Sequence, residues 1–351
     1  MPLDRPTLDT VAAAAGVSRM TVSNAYNRPD QLSAATRERI LVVAAELGYS
    51  GPSPAGRSLR RGRAGTIGIV LTESLAYAFT DPGLVSFLRG VADELTEAGR
   101  AMLLVPTHAV REDDLVRDAI VDAFVLCSLR DDDPAVAAVQ ARGIPVVTVG
   151  SPRLKGRPHI GIDNIAAAKL AADHLTGLGH RRLAVVGVPD SMPLDAQGPV
   201  VQSRRGFKLR VTGFVAAAAA SGIDPGSITV VTAWNNSAEA GAEAARTLLQ
   251  STHRPTAVFA VSDVLALGVL GAAASEGLQV PADLSVVGFD GIDEGARSRP
   301  SLTTIAQDLR GQGRWAARTA LNLVEGIRPP SSRNPPDLVI RSSTSPPKRR
   351  G

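Results

Sequence analysis

The chain has 351 residues, 44% of them hydrophobic and 21% charged, with a formal net charge of +4. These are the values of a globular protein with room for more than one domain, not of a disordered chain. Its one cysteine, Cys127 in DAFVLCSL, excludes a disulfide framework or a cysteine metal site and reads as a small buried hydrophobe.

No apolar run is long enough to span a membrane, and MPLDRPTLDT lacks the pattern of a signal peptide. The protein is therefore expected in the cytoplasm, with no membrane contact. Residues 1–63 hold nine arginines against five acids, so the surplus of positive charge lies in this head, which predicts a polyanion partner there.

Residues 7–49 read as three short helices. Thr7 is placed to cap the first, with Leu8, Val11, Ala12 and Ala15 at helical spacing, and Gly16 ends it. Ser18 caps the second, with Val22 on its inner face. NRPDQLS is turn chemistry. Ser33 caps the third, with Ile40, Val43, Ala44 and Leu47 inward and Gly48 at its end.

The stretch SGPSPAGRSLRRGR, 50–63, is rich in Pro, Gly, Ser and Arg, as a linker is. From Thr66 onward eight β-branched runs (TIGIVLT, AMLLVP, DAFVLCSL, PVVTVG, RLAVVGV, ITVVTAW, TAVFAVS and SVVGFD) are interleaved with helical stretches. This alternation predicts βαβ units with parallel sheets, arranged as two lobes.

A helix, a tight turn at Gly16 and a second helix from Ser18 form a helix-turn-helix pattern. Ser18, Arg19, Met20, Thr21, Ser23 and Asn24 supply the face that would enter a DNA groove. The segment TLDTVAAAAGVSRMTVSNAYN…LSAATRERILVVAAELGY resembles the DNA-binding head of the lactose-repressor (LacI) family. PSPAGRSLR resembles that family's hinge. LGHRRLAVVG, AVFAVSDVLALGVLGAAASEGLQVPADLSVVGFD and PSLTTIAQDL resemble its periplasmic-binding-protein-like core.

The resemblance implies an α plus α/β architecture. A helix-turn-helix head occupies 1–50, a hinge 51–63 and an effector-binding and dimerisation core 64–351. Lobe 1 is expected over about 64–178 plus 308–333, and lobe 2 over 179–307 plus 334–346. The crossovers are expected near Leu178–His180, Gln307–Leu309 and Pro329–Pro335.

By the same resemblance Arg19, Met20 and Asn24 are expected to read bases, and Thr7, Ser18, Thr21, Ser23 and Asn27 to meet the DNA backbone. Leu59 is expected to wedge into the minor groove, flanked by Arg57 and Arg60. Tyr26 stands where the family usually has an aliphatic residue and is expected to pack.

Asp163, Arg210 and Asp290 match ligand-binding positions of the family, and Asp163 serves equally as a helix cap. Ser262, Trp234, Tyr77 and Phe79 are further candidates for the effector pocket. No histidine spacing suits a metal, and no cofactor is expected.

The implied protein is an effector-responsive regulator, most often a repressor. It would bind palindromic double-stranded operator DNA as a homodimer and take a sugar or nucleoside-like effector between its lobes. Two competing readings are a cytoplasmic small-molecule-binding protein of the same core fold, disfavoured by the basic head, and an α/β enzyme. The latter would need a phosphate loop, a Gly-x-Ser-x-Gly elbow or a metal cluster, and the sequence has none.

Overall fold

Small hydroxyl side chains start each of the first three helices. The computed structural model describes residues 6–51, 62–72, 74–107, 112–188 and 205–348, apart from the side chains of 112–114. Its contacts divide into two units, 1–65 and 66–351.

In the first unit α1 spans Leu8–Ala15, α2 Arg19–Asn27 and α3 Ala34–Glu46. Thr7 Oγ1 accepts the Thr10 N–H at 3.3 Å, and Thr10 Oγ1 accepts the Thr7 N–H at 2.6 Å, a reciprocal cap. Ser18 Oγ accepts the Thr21 N–H at 3.1 Å and Ser33 Oγ the Thr36 N–H at 3.2 Å. Gly16 leaves α1 at a φ of +64°, a conformation glycine adopts without steric cost.

Val11, Ala12, Ala15, Val22, Ala25, Ile40 and Ala44 make the core of this unit. It is rich in alanine, so the helices approach closely around two valines and one isoleucine. Full burial of Ile40 contributes roughly 1.5–3 kcal/mol. Tyr26 packs edge-on against Tyr49, ring centroids 5.9 Å apart. Leu47, expected inward, is 39% exposed instead, at the C-cap where α3 ends.

The second unit holds two six-stranded sheets. Strands β1 (Thr66–Leu71), β2 (Ala101–Pro106), β3 (Ala123–Cys127), β4 (Val146–Val149), β5 (His159–Gly161) and β11 (Ser332–Arg333) form the first, ordered β2-β1-β3-β4-β5-β11. Strands β6 (Leu183–Gly187), β7 (Thr229–Thr232), β8 (Ala257–Ala260), β9 (Ser285–Asp290), β10 (Thr303–Ala306) and β12 (Asp337–Val339) form the second, ordered β7-β6-β8-β9-β10-β12. All pairings are parallel except β10 with β12.

The eight β-branched runs each hold a strand. The four strands outside them, β5, β10, β11 and β12, have two to four residues.

The remaining helices are α4 (Leu75–Ala78), α5 (Pro82–Glu97), α6 (Glu112–Asp118), α7 (Pro134–Ala141), α8 (Asn164–Gly177), α9 (Arg205–Ala220), α10 (Ala238–Leu249), α11 (Asp263–Ser275), α12 (Asp293–Arg297) and α13 (Leu309–Val324). Both faces of the first sheet are covered. Ile67, Ile69 and Leu71 pack toward α5 and α13, and Val70 joins Phe124 and Leu126 on the other face, the two-residue alternation of a strand. Helices α5 and α13 meet closely at Gly90 and Gly313, where a Cβ would fall on the carbonyls of Arg310 and Phe87.

The chain passes between the sheets three times: at 162–163 between β5 and α8, at 307–308 between β10 and α13, and at 334–336 between β11 and β12. The first passage lies one helix earlier than the expected Leu178–His180. Helix α8 packs on α9, and its Ala167, Ala168, Ala171, Ala172 and Leu175 belong to the core of the second half. The alanine spacing of α8 reveals a buried face but not which sheet that face covers.

Candidate functional site

In the first unit the face of α2 is built by its cap. Arg19 and Met20 follow Ser18 directly and point outward; Met20 is 68% exposed. Arg19 Nε lies 3.6 Å from Asp9, both side chains exposed, a pair that contributes little to stability. Asn24 is half-buried and donates to Gln31 Oε1 at 3.3 Å. Thr21 Oγ1 lies 2.8 Å from Ser18 Oγ. Asn27 donates to the Ser23 carbonyl at 2.9 Å.

Ser23 departs from expectation. It is buried under its own helix rather than on the outer face, because its position in the turn falls on the stripe shared by Val22 and Ala25. Arg57, Leu59 and Arg60 lie outside the described residues.

In the second unit a cavity of about 320 Å³ opens at the carboxyl ends of strands from both sheets, the usual ligand position in open α/β sheets. Asp163, Arg210 and Asp290 all line it. Arg210 projects from α9, largely buried. Its Nε donates to Asn164 Oδ1 at 2.9 Å, and its Nη1 to the Val261 carbonyl at 2.6 Å and to Asp290 Oδ1 at 3.3 Å. The guanidinium carbon stands 3.6 Å above the Phe289 ring centroid, a cation–π contact strengthened by desolvation.

Asp290 ends β9 at a φ of +123°, a strained conformation for a residue with a side chain. Gln307, at the second passage between sheets, donates to Asp290 Oδ1 at 2.7 Å. Burial pushes the Asp290 carboxyl up to about 7, against the pull of Arg210 and with a further push from Asp263.

Asp263 is the support behind Asp290. It is fully buried at the start of α11 and accepts from Gly291 N at 2.8 Å, Ile292 N at 2.9 Å and the Thr304 hydroxyl. Asp163 both caps α8, accepting the Ala166 N–H at 3.1 Å, and faces the cavity 4.0 Å from Arg333.

The other expected pocket residues do not line the cavity. Ser262 is buried, caps α11 and donates to Asn236 Oδ1, so it reaches the cavity only through Asn236, which does line it. Trp234, 42% exposed, donates to Glu243 Oε2 at 3.1 Å outside the cavity. Phe79 is 67% exposed. The Tyr77 hydroxyl lies 3.0 Å from Asp81 Oδ2 and 3.2 Å from the Asn236 carbonyl, and Asn236 donates to Asp81 at 3.1 Å. Tyr77 thus ties the two halves together beside the cavity.

Sequence reasoning missed Asn164, Asn236, Gln307 and Gln312. The first adjoins Asp163 and the third lies in the PSLTTIAQDL motif. What makes each a cavity residue is a contact between distant segments.

Among the described residues no group of His, Cys, Asp and Glu is arranged to hold a metal ion, and no helix is long and apolar enough to cross a membrane. The cavity offers carboxylate, carboxamide and guanidinium groups in alternation, which suits vicinal hydroxyls.

Residues 7–51 match the description of bacterial regulatory proteins of the lacI family, and residues 172–344 that of the periplasmic binding protein-like domain. An HTH-type transcriptional regulator of Mycobacterium tuberculosis is 41% identical over 332 residues, 91% of each chain. The lac repressor dimer bound to operator and an anti-inducer matches with a TM-score of 0.75 and 27% identity, over 97% of this chain and all of that one. The transcriptional regulator CelR in complex with cellobiose matches with a TM-score of 0.68 and 30% identity, over 97% of this chain and all of that one. The head, the two-sheet core and a relative of this identity agree: the chain belongs to the LacI family, as a transcriptional regulator and not an enzyme.

Proposed function

We propose that the protein is a repressor acting in the cytoplasm. It binds a palindromic operator as a homodimer, and a sugar or nucleoside-like effector in the cavity sets its operator affinity. The observation that carries this reading is the Arg210–Asp290–Gln307 array, held in a cavity bordered by both sheets. The structural relatives support it: one is a dimer on operator DNA, another a complex with cellobiose.

Arg19 is suited to bidentate contact with guanine, Asn24 to adenine or a phosphate, and Met20 to a thymine methyl. Thr7, Ser18, Thr21 and Asn27 take backbone contacts, and Ser23 acts by holding Asn27. Arg57, Leu59 and Arg60 form a minor-groove hinge. The effector works by population shift: it favours one arrangement of the two halves, and the dimer's two heads gain or lose the spacing of the half-sites.

Recovery of genomic fragments by the full-length protein, with an Arg19→Ala/Asn24→Ala variant as control, tests this. Enrichment of an inverted repeat by the wild type alone supports the reading. Equal recovery by both proteins overturns the assignment of α2 as the reading helix.

A further inference from the structure

The cavity holds more cationic groups than the Arg210–Asp290 pair accounts for. Arg153 follows β4, Arg333 lies on β11 and Arg205 opens α9, and all three line the cavity. Arg205 is paired with Asp131. Among the described residues Arg333 has only the carboxylate of Asp163, at 4.0 Å, with its own side chain 67% exposed. Arg153 has no carboxylate partner among the described residues.

His159 lines the cavity with these two arginines. It is buried on β5, and its Nδ1 lies 2.9 Å from Thr148 Oγ1. Gly161 pairs with Arg333 across the β5–β11 ladder and lacks the Cβ that would stand 3.0 Å from His159 Nε2. Burial, and then the charges of Arg153 and Arg333, hold the imidazole pKa down to about 4.

The lining carboxylates are already engaged. Asp81 accepts from Tyr77, Asn236 and the Leu84 N–H. Asp163 caps α8, and Asp290 takes Arg210 and Gln307. What remains without a close carboxylate is a pair of guanidinium groups, Arg153 and Arg333, lining the cavity with the neutral His159 imidazole.

We propose that the effector is a hydroxylated small molecule bearing a phosphate monoester, its phosphate seated against Arg153, Arg333 and His159 and its hydroxyls toward Asp290 and Gln307. This rests on reading the cavity as the effector site. Two guanidinium forks from separate segments present more donors and charge than one carboxylate can use, whereas a phosphate's three terminal oxygens serve both.

The test is calorimetric titration of the full-length protein with glucose 6-phosphate, ribose 5-phosphate, inorganic phosphate, glucose, ribose and gluconate. It is repeated on an Arg153→Gln/Arg333→Gln variant, whose exposed side chains leave the core intact. The expected result is that a phosphate ester binds at least about tenfold tighter than its neutral counterpart, and that the variant removes this advantage without weakening the neutral sugar.

Three results would overturn the proposal: neutral sugars binding as tightly as their phosphates, no phosphate probe binding at millimolar concentration, or phosphate binding unchanged in the variant. Gluconate binding as tightly as the esters would overturn the phosphate assignment in favour of a carboxylate. A phosphate ester that binds as expected yet leaves operator affinity unchanged counts against the effector reading instead.

Discussion

The Asp263 carboxylate accepts the Gly291 N–H at 2.8 Å. That bond, with those from Ile292 N and Thr304 Oγ1, holds the strained turn that aims Asp290 into the cavity. Asp263→Ala strands three donors, two buried and one half-buried, each costing about 1–3 kcal/mol when unpaired. We expect urea denaturation to show a loss of at least about 3 kcal/mol. Asp263→Asn keeps one acceptor and should lose less, while still weakening effector binding through misplacement of Asp290. An Asp263→Ala protein as stable as wild type would remove Asp263 from this role.

Two groups lining the cavity should give pH dependences of opposite sign. Asp290, pushed up to about 7 by burial, binds more protons folded than unfolded above an unfolded value of about 3.9. Its contribution to stability is present at low pH and is lost as the pH rises toward 7. His159, held at about 4 by burial and by Arg153 and Arg333, binds fewer protons folded than unfolded. Its contribution is present above an unfolded value of about 6.5 and is lost as the pH falls through that window. Denaturation of wild type, Asp290→Asn and His159→Asn between pH 4 and 8 should therefore give difference curves of opposite slope. Parallel curves would contradict both assignments.

The legible parts of this fold were those set by local chemistry. Thr7, Ser18 and Ser33 announce their helices because a hydroxyl oxygen satisfies the N–H three residues on. The eight β-branched runs announce eight strands. Strands β11 and β12, two and three residues long, carry no pattern of their own and exist because a neighbouring strand offers an edge.

The site divides in the same way. Asp163, Arg210 and Asp290, expected from the family motifs, line the cavity. Trp234 and Tyr77 do not line it: an aromatic after a strand does not reveal that its N–H will turn to Glu243, or its hydroxyl to Asp81. Arg153 and Arg333 line the same cavity although they stand 180 positions apart, beyond any local spacing.

Tyr77→Phe isolates the link between the two halves. The ring stays and only the hydroxyl that meets Asp81 and Asn236 is lost, so stability should fall by about 1 kcal/mol, the net worth of a hydrogen bond. Asn236 still donates to Asp81. If this contact favours the arrangement seen in the structure, the effector concentration giving half-maximal change in operator affinity should move in Tyr77→Phe. No contact to the ligand would have been removed. An unchanged midpoint would make the contact purely structural.

Ser18 and Met20 separate folding from recognition in the head. Ser18→Ala removes the α2 cap, and the head should lose about 1 kcal/mol of stability. Met20 is largely exposed and outside the core, so Met20→Ala should leave stability unchanged while altering preference at one operator base pair. Non-specific affinity should survive in Met20→Ala, since a thioether neutralises no phosphate, and the slope of log affinity against log salt should stay constant. Arg19→Ala should instead flatten that slope if its guanidinium meets a phosphate, and leave it unchanged while relaxing specificity if it meets a guanine edge. Thermal denaturation reads Ser18→Ala, and binding selections with randomised half-sites, run at two salt concentrations, read Met20→Ala and Arg19→Ala. A Met20→Ala protein with the wild-type base preference would place α2 differently in the groove.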